Sequence, residues 1–404
     1  MKNLTRREYL RLLGGSTAAL MMSRLDLDAI SPVTLPSLRN LAAARGIKFG
    51  SDADNDMSAT ATEFAELFAN QCALLAPILS WANVSPEPDV HEYSRARENL
   101  NFAQAHNLLL TGAHLLWHER TPKWFETIQD RKLAEQAVRR HIRTMLEHFS
   151  GQVWSWNVVN EAIKVQSPSD YLRASPLLSN LGPDFISQAF AWTREADASV
   201  LLVYNDYGFE DESRGALAKR QALLRLLDSM AKQKAPIDAV GLQSHLSTGI
   251  KFNESGYRAF LRDIAACGLK IVISELDVKD MNAPADIAQR DQAVADTYAK
   301  FLNVALDEPN VTGLVVWGLS DRYSWYNDPH RPYTRKNKLP GRPLLFDEKF
   351  QPKLAFDAVV KALQTAPEGN ESFCHHHETT PRFTADNSCP PASDTRSHSR
   401  RRII

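Results

Sequence analysis

Two glutamates stand out in this sequence because each follows a short apolar run. Glu161 ends the string Trp-Asn-Val-Val-Asn-Glu, and Glu275 follows Ile-Val-Ile-Ser 114 residues further on. Hydrolysis of a glycosidic bond requires such a pair, because one carboxylic acid protonates the leaving oxygen while a carboxylate acts on the other face of the sugar. A single glutamate at a strand end is explained equally well by a structural ion pair. Two of them, flanked by Asn, His and Trp, favour a catalytic pair.

The residues that surround Glu275 predict that it is the nucleophile. His245 and Asp277 are placed to form a chain with it, in which the aspartate orients the histidine and the histidine hydrogen-bonds the glutamate. Donors aimed at a carboxylate favour its ionised, nucleophilic form.

Glu161 is predicted to be the general acid and base. We expect Trp156 and Trp325 beside it as apolar walls, which disfavour charge and keep a carboxyl group protonated. Asn160 immediately precedes it and is placed to hydrogen-bond the 2-hydroxyl of the reacting sugar.

Only the fold can bring two such distant residues together. Between residues 46 and 364, short apolar runs alternate with amphipathic stretches, and near-continuous apolar runs are typical of strands buried on both faces of a parallel sheet. Eight runs are present, at 47–50, 72–79, 108–117, 153–159, 199–204, 239–242, 269–273 and 313–317. The pattern predicts an α/β protein with a single (β/α)₈ TIM barrel, whose active site lies at the C-terminal ends of the strands.

The stretches between the runs predict helices at 131–149, 256–267 and 287–306. The first has Asp130 as its expected N-cap and Gly151 as its stop. Its apolar stripe is predicted to consist of Leu133, Ala137, Ile142, Met145, Leu146 and Phe149.

Further polar and aromatic residues follow the predicted strands. They are Trp117 and His118 after the third, Asn160 after the fourth, Asn205 after the fifth, Gln243 and His245 after the sixth, and Trp317 after the eighth. Trp117, Trp124, Trp317 and Trp325 could stack on pyranose rings. For Trp124 and Trp156, packing in the core is an equally good explanation.

The order of these motifs resembles the family 10 glycoside hydrolases, the endo-β-1,4-xylanases, over residues 45 to 364. The resemblance rests on Trp-Asn-Val-Val-Asn-Glu-Ala (156–162), Tyr-Asn-Asp-Tyr (204–207), Gly-Leu-Gln-Ser-His-Leu (241–246), Ser-Glu-Leu-Asp (274–277), Val-Trp-Gly-Leu-Ser-Asp (316–321) and Pro-Leu-Leu-Phe-Asp (343–347). It implies a retaining double displacement through a covalent glycosyl-enzyme intermediate, with the carboxyl groups about 5–5.5 Å apart. By motif position it makes Glu161 the acid/base and Glu275 the nucleophile. It also places a further set around the sugar, namely His118, Asn160, Gln243, His245, Trp317 and Trp325.

Three departures from the family pattern affect substrate recognition. The usual Pro-Glu-Asn-x-Met-Lys-Trp run after the second strand is Pro-Ile-Leu-Ser-Trp-Ala-Asn at 77–83, without the sugar-binding Glu and Lys. The usual Gly-His-Thr is Gly112-Ala113-His114, and the usual Asp is Asn157. Lost hydrogen bonds to sugar hydroxyls change discrimination strongly. Internal β-1,4-xylosidic bonds of xylan are the expected target, while a β-glycanase of altered specificity, a transglycosylase and a non-catalytic carbohydrate-binding protein stay open.

The two ends of the chain differ from the body. Residues 1–32 resemble a twin-arginine export signal, with Arg6-Arg7 before a weakly apolar stretch, which predicts a periplasmic or secreted protein. Residues 33–366 are the expected catalytic domain, and 367–404 the expected disordered tail. Cys374, His375–His377 and Cys389 in that tail match no standard zinc spacing.

Composition narrows the range of partners. Lys+Arg 47 against Asp+Glu 48 leaves a net charge of -1, which provides no basic surface for nucleic acid. No apolar run reaches the ~20 residues of a membrane span, so we expect no membrane contact after export. Four cysteines are too few for a disulfide scaffold. We expect a monomer that acts on a xylan-type polysaccharide or oligosaccharide and uses neither metal nor organic cofactor.

Overall fold

Parallel strands form a barrel in a computed structural model that describes residues 35–53, 62–77, 79–166, 170–328, 330, 335 and 337–368. The strands are β1 (Lys48–Ala53), β2 (Leu74–Pro77), β3 (Leu109–Leu110), β4 (Ala113–Trp117), β5 (Ser155–Asn160), β6 (Leu201–Asp206), β7 (Ala239–Leu242), β8 (His245–Ser247), β9 (Lys270–Lys279) and β10 (Val311–Val316). Their order is β3-β2-β1-β10-β9-β7-β6-β5-β4, every pair is parallel, and β8 pairs with the outer part of β9.

The third predicted strand is divided at Gly112. This residue has a φ of 68°, a left-handed conformation that glycine adopts without a Cβ clash. Strand β3 pairs with β2 and β4 pairs with β5, and Leu110 bridges to Val153 just before β5. The divided strand thus closes the barrel between β2 and β5. The predicted (β/α)₈ arrangement is confirmed, with nine strand segments around the barrel and β8 outside that order.

Helices alternate with the strands. They are α1 (Leu38–Ala43), α2 (Thr62–Gln71), α3 (Trp81–Val84), α4 (Ser94–Ala105), α5 (Lys123–Glu126), α6 (Arg131–His148), α7 (Pro176–Leu181), α8 (Phe185–Ala196), α9 (Arg214–Lys232), α10 (Glu254–Ala266), α11 (Ile287–Ala305) and α12 (Leu354–Thr365), with 3₁₀ turns at His118–Arg120, Asp321–Tyr323 and Trp325–Asn327. The described helices include none that is long and apolar enough to cross a membrane.

Helix α6 begins where the sequence predicts, but the buried residue in its first turn is not the predicted one. The Asp130 side chain accepts hydrogen bonds from the backbone N–H groups of Lys132 and Leu133 and so caps the helix. The prediction that Leu133 lies on the apolar stripe is wrong, because that residue is 56% exposed. Ala134 takes its place, since residue 133 lies about 100° around the helix from residue 134.

Strand β9 extends well beyond its predicted end at residue 273. The short strand β8 pairs with its outer half, with His245 opposite Asp277. Glu275 and Asp277 therefore lie within a hydrogen-bonded strand instead of on a loop. The proposed signal at 1–32 and residues 369–404 of the proposed tail lie outside the described residues.

Candidate active site

The residues predicted from sequence gather at the C-terminal ends of the barrel strands. They are Trp117 and His118 at the end of β4, Asn160 and Glu161 at the end of β5, Asn205 in β6, Gln243 and His245 after β7, Glu275 and Asp277 in outer β9, and Trp317 and Trp325 after β10. Parallel strands in a barrel present these ends at one rim, which is why residues so distant in the chain meet here.

Amide side chains connect the two glutamates in one network. Asn160 Nδ2 lies 3.2 Å from Glu161 Oε1, and Gln243 Nε2 donates to the same oxygen at 3.1 Å. Asn205 Nδ2 donates to Asn160 Oδ1 at 2.9 Å and to Glu275 Oε1 at 2.7 Å. Both carboxyl groups thus belong to a single hydrogen-bonded unit that is largely shielded from water.

Glu275 is also held by His245 and Asp277, in the hydrogen-bonded series that the sequence predicts. His245 Nε2 lies 3.2 Å from Glu275 Oε2, and His245 Nδ1 lies 3.0 Å from Asp277 Oδ2. Asp277 accepts two further bonds, from Trp325 Nε1 at 2.8 Å and from Tyr326 Oη at 2.9 Å. Burial lowers the pKa of His245, but the carboxylates of Asp277 and then Glu275 outweigh it and raise that pKa to about 10. The imidazole is therefore a cation that donates to both carboxylates.

Glu161 has the pKa of a proton donor near neutral pH. Burial raises its pKa, a hydrogen bond from Gln243 opposes this, and the charges of Asp206 and Glu275 raise it again, so that it reaches about 7. A smaller lowering comes from the indole of Trp117. Glu161 thus differs from Glu275 in having no cationic partner bonded to its carboxyl group among the described residues.

One of the two apolar walls that the sequence predicts for Glu161 lies elsewhere. Trp156 is 1% exposed and its ring lies 6.0 Å from that of Phe149, in the core outside the strands. The indole N–H of Trp325 donates to Asp277. The prediction that Trp156 flanks Glu161 is wrong, because β5 turns the side chain of Trp156 toward the helices. The indole of Trp117 lowers the pKa of Glu161 and is therefore not such an apolar wall.

Trp124 is partly buried and packs against the core. Its ring meets Trp81 edge to face at 5.6 Å, and its indole N–H donates to the Ser85 carbonyl at 2.9 Å. Of the two explanations for this residue, core packing is the one that the structure favours.

Glu161 sits in a strained backbone conformation. Its φ is 58°, in the left-handed region that residues other than glycine rarely adopt. Its backbone N–H donates to the Asn205 carbonyl at 2.8 Å, and its carbonyl accepts from Arg173 Nε at 2.7 Å. Such strain persists where surrounding contacts fix the residue, and it is concentrated at functional sites.

His118, Glu119 and Glu161 form a group whose possible metal-ligand atoms all lie within 4.8 Å of one another, among the residues that the structure describes. Burial, followed by the positive charges of Arg173 and Lys164, lowers the pKa of His118 to about 4. The same two cations oppose a metal ion at this position. We therefore assign the group no metal.

The assembled rim and barrel match known proteins. Residues 37–362 match the profile described as Glycosyl hydrolase family 10. The chain belongs to that family.

The chain is 29% identical over 334 residues to endo-1,4-beta-xylanase B of Thermotoga neapolitana, covering 81% of this chain and 91% of that protein. It is 34% identical over 294 residues to endo-1,4-beta-xylanase A of the same organism, covering 69% of this chain but 26% of that longer protein. Among solved structures, xylanase 10B of Thermotoga petrophila in complex with xylobiose is 30% identical, with a TM-score of 0.74 and coverage of 82% of this chain and 98% of that one.

Within this family 10 member, His114 lies close to Glu275, which the sequence did not predict. The residue is buried in β4, and its Nε2 lies 4.0 Å from Glu275 Oε1. Burial lowers the pKa of His114, although the charge of Glu275 opposes the shift. A neutral imidazole beside Glu275 is the result. The available sequence signal was a histidine inside an otherwise apolar strand. The family resemblance, however, leads one to expect the histidine at position 113, where this chain has alanine.

Residues 79–81 of the altered strand-two run of this family 10 chain are buried. Trp81 is 2% exposed and stacks on the His141 ring at 4.7 Å, and Ser80 is 1% exposed. Asn157, at the usual aspartate position, donates to the Gly112 carbonyl at 3.1 Å and supports the bend between β3 and β4.

Proposed function

We propose that this protein is a retaining endo-β-1,4-xylanase, with Glu161 as acid/base and Glu275 as nucleophile. The observation that carries the proposal is that two carboxyl groups share one hydrogen-bond network but have different electrostatic surroundings. One has its pKa raised to about 7, and the other is bonded by a cationic histidine. A retaining glycosidase needs this asymmetry, since one group must begin protonated and the other ionised.

The proposed reaction has two steps. The Glu275 carboxylate attacks the anomeric carbon while Glu161 transfers its proton to the departing glycosidic oxygen, which releases the leaving sugar and forms a glycosyl ester. Glu161, now ionised, takes a proton from water, and the oxygen of that water displaces Glu275. The product has its original β configuration, and both carboxyl groups return to their starting protonation states. Asn160 is proposed to bond the 2-hydroxyl, where the contact strengthens as charge develops on the ring.

The substrate proposed is xylan or a xylo-oligosaccharide. It is supported by the family and by a structural relative that is described as a complex with xylobiose. Stacking by Trp317 and Trp325 and polar contacts from His118, Gln243 and His245 are proposed to hold the sugar at the cleaved bond. The ring of Trp317 meets His245 edge to face at 6.3 Å, which supports a shared role of these two residues in binding.

A β-glycanase of altered specificity is the second candidate, and the run at 77–83 favours it. This run contains neither the Glu nor the Lys expected of a xylan-binding loop, and its Trp81 is committed to the core. Fewer hydrogen bonds from the run at 77–83 to the substrate reduce discrimination between sugars that differ in their hydroxyl groups.

The test is a hydrolysis screen followed in time. Purified protein is incubated with xylan, arabinoxylan, β-glucan and glucomannan, and products are separated by chromatography. We expect xylan and arabinoxylan to be the best substrates, with short internal-cleavage products, and ¹H NMR to show the β anomer first. Preference for β-glucan would instead favour the second candidate. Longer products than the starting oligosaccharide would indicate transglycosylation, and binding without products would contradict the enzyme assignment.

We also propose export through the Arg6-Arg7 signal, a mature catalytic domain within 33–366, a disordered tail at 367–404 and a monomeric state without nucleic-acid or membrane partners. Expression in a bacterium with a twin-arginine pathway should deliver the protein to the periplasm. Replacement of both arginines by lysine should retain it in the cytoplasm, because the transport machinery reads that pair. Equal periplasmic yield from both forms would contradict the export proposal, and light scattering of the purified protein would test the monomer.

A further inference from the structure

Asp277 is bonded through both of its carboxylate oxygens. The side chain is fully buried, and its Oδ2 accepts from His245 Nδ1 at 3.0 Å and from Trp325 Nε1 at 2.8 Å. Its Oδ1 accepts from Tyr326 Oη at 2.9 Å. A carboxylate held at both oxygens cannot turn about its Cβ–Cγ bond without breaking a hydrogen bond. The bond from Tyr326 therefore fixes the plane in which Asp277 meets the histidine.

Tyr326 lies outside the motifs that carry the family resemblance. It belongs to the 3₁₀ turn at Trp325–Asn327, in the long segment between β10 and α12, and it is 5% exposed. Its ring lies 4.4 Å from the ring of Trp325, and Lys279 Nζ is 5.2 Å from its ring centre. Contacts with its own turn and with β9 thus orient the phenol toward Asp277.

Asn327 ties this turn to a later part of the same segment. Its Nδ2 donates to the Gly341 carbonyl at 3.1 Å, and its Oδ1 accepts from the Gly341 N–H at 2.7 Å. The same Nδ2 also donates to the Asp321 carbonyl at 3.0 Å. The amide side chain therefore holds together the two ends of the stretch from 321 to 341, directly beside Tyr326.

A buried ion pair attaches the same segment to the end of β9. Arg290, on α11, and Asp280 are each 2% exposed, and Arg290 Nε donates to Asp280 Oδ2 at 2.8 Å. Arg290 Nη2 donates to the carbonyl of Pro340, the residue before Gly341, at 2.6 Å. Since Asp280 lies three residues beyond Asp277, the segment is attached to this part of the chain at two points.

We propose that Tyr326 is a positioning residue, which fixes Asp277 so that His245 stays aligned on Glu275. The inference rests on the proposed function for its activity readout, since Glu275 is the proposed nucleophile. His245 Nε2 bonds to Glu275 and its Nδ1 bonds to Asp277, so the imidazole is shared between two carboxylates. Without the bond from Tyr326, Asp277 can turn toward its remaining donors, which draws the imidazole away from Glu275.

The proposed role makes the effect of Tyr326 depend on the carboxylate of Asp277. In Asp277→Ala the hydroxyl has no carboxylate to fix, so loss of the hydroxyl should change kcat little. A role in the stability of the segment alone would lower activity in both backgrounds, since it does not act through that carboxylate. Two residues that act through one interaction have non-additive effects, which a double-mutant cycle measures.

The test is such a cycle with Asp277→Ala and Tyr326→Phe, which removes only one oxygen. We expect Tyr326→Phe to lower kcat on an aryl β-xylobioside about tenfold, in line with the loss of one hydrogen bond to a charged group, and to change KM by less than about twofold. In the Asp277→Ala background the same substitution should change kcat by less than about twofold. Equal losses in the two backgrounds would overturn the inference.

Tyr298→Phe is the matched control. Tyr298 is also fully buried, and its hydroxyl donates to the carbonyl of Pro343, in the same segment, at 3.0 Å. The substitution removes a buried hydroxyl bond of the segment but no donor to Asp277. We expect it to leave kcat within about twofold of the unaltered value. A tenfold loss in this variant would contradict the assignment, because it would trace the effect to the segment as a whole.

A second readout does not depend on turnover. The two N–H protons of the His245 cation are donated to Asp277 and Glu275, and the ¹H NMR resonance of such a proton moves downfield as its hydrogen bond strengthens. Loss of one donor leaves Asp277 a stronger acceptor. In Tyr326→Phe labelled with ¹⁵N in histidine, we expect the Nδ1–H resonance to move downfield and the Nε2–H resonance to move upfield. Both should stay in place in Tyr298→Phe.

The two readouts separate this inference from the proposed function. An unaltered protein without glycosidase activity would contradict the proposed function, and the NMR comparison would still decide the positioning role. Unmoved His245 resonances in a folded Tyr326→Phe variant would contradict the positioning role, whatever the activity.

Discussion

Replacement of Glu275 by alanine is expected to lower kcat on xylan by on the order of 10⁴-fold or more, because no other group can form the covalent intermediate. The carboxylate is bonded by Asn205 and His245 in the interior of the rim, so its loss also leaves these donors without their acceptor. The measurement is the initial rate on an aryl β-xylobioside, with circular dichroism to establish that the variant folds.

Azide provides the decisive control for Glu275. A small anion in the space of the missing carboxylate attacks the anomeric carbon from the same side, so Glu275→Ala with azide should yield an α-glycosyl azide. Glu147→Ala, which removes an exposed glutamate from α6, should keep full activity. Normal turnover by Glu275→Ala without azide would contradict the nucleophile assignment.

Replacement of Glu161 by alanine is expected to lower the rate on xylan by about 10²–10⁴-fold, the contribution typical of a general acid. The loss should depend on the leaving group. A dinitrophenyl β-xylobioside needs no proton at its departing oxygen, so it should still form the intermediate quickly and release dinitrophenol in a burst. Azide should then accelerate turnover and give a β-glycosyl azide, because it attacks the intermediate from the opposite face.

The pH profile gives a second test of Glu161. In the free protein its pKa is raised to about 7, and the group must be protonated for the first step. The rate kcat/KM should therefore be high below that pH and fall about tenfold for each pH unit above it. This basic limb should be absent in Glu161→Ala with the dinitrophenyl substrate. Persistence of the limb would assign it to another group and contradict the acid/base role.

The fold was predictable because its signals are repeated along the chain. Eight buried apolar runs separated by amphipathic stretches leave few alternatives to a parallel barrel, and the structure confirms it. The division of the third run at Gly112 was not predictable, since glycine alone does not reveal a positive φ. The extension of β9 depends on pairing with β8, a long-range contact without a local sequence signal.

The residues of the site were easier to predict than their neighbours. Each polar residue beyond a strand end reaches the same rim, so position along the chain sufficed to select Asn160, Asn205 and Gln243. The tryptophans were harder, because successive side chains of a strand point to opposite faces of the sheet. Trp156, the second residue of β5, faces the helices and packs near Phe149.

The two carboxyl groups proposed to be catalytic belong to different kinds of structural element. Glu275 belongs to a strand that is paired along both flanks, by β8 and by β10. Glu161 begins a loop, and Arg173 from later in that loop grips its carbonyl. Mutations that remodel this loop can therefore shift the proposed proton donor and leave undisturbed the strand that carries the proposed nucleophile. Sequence divergence among related enzymes should therefore accumulate beside the proton donor.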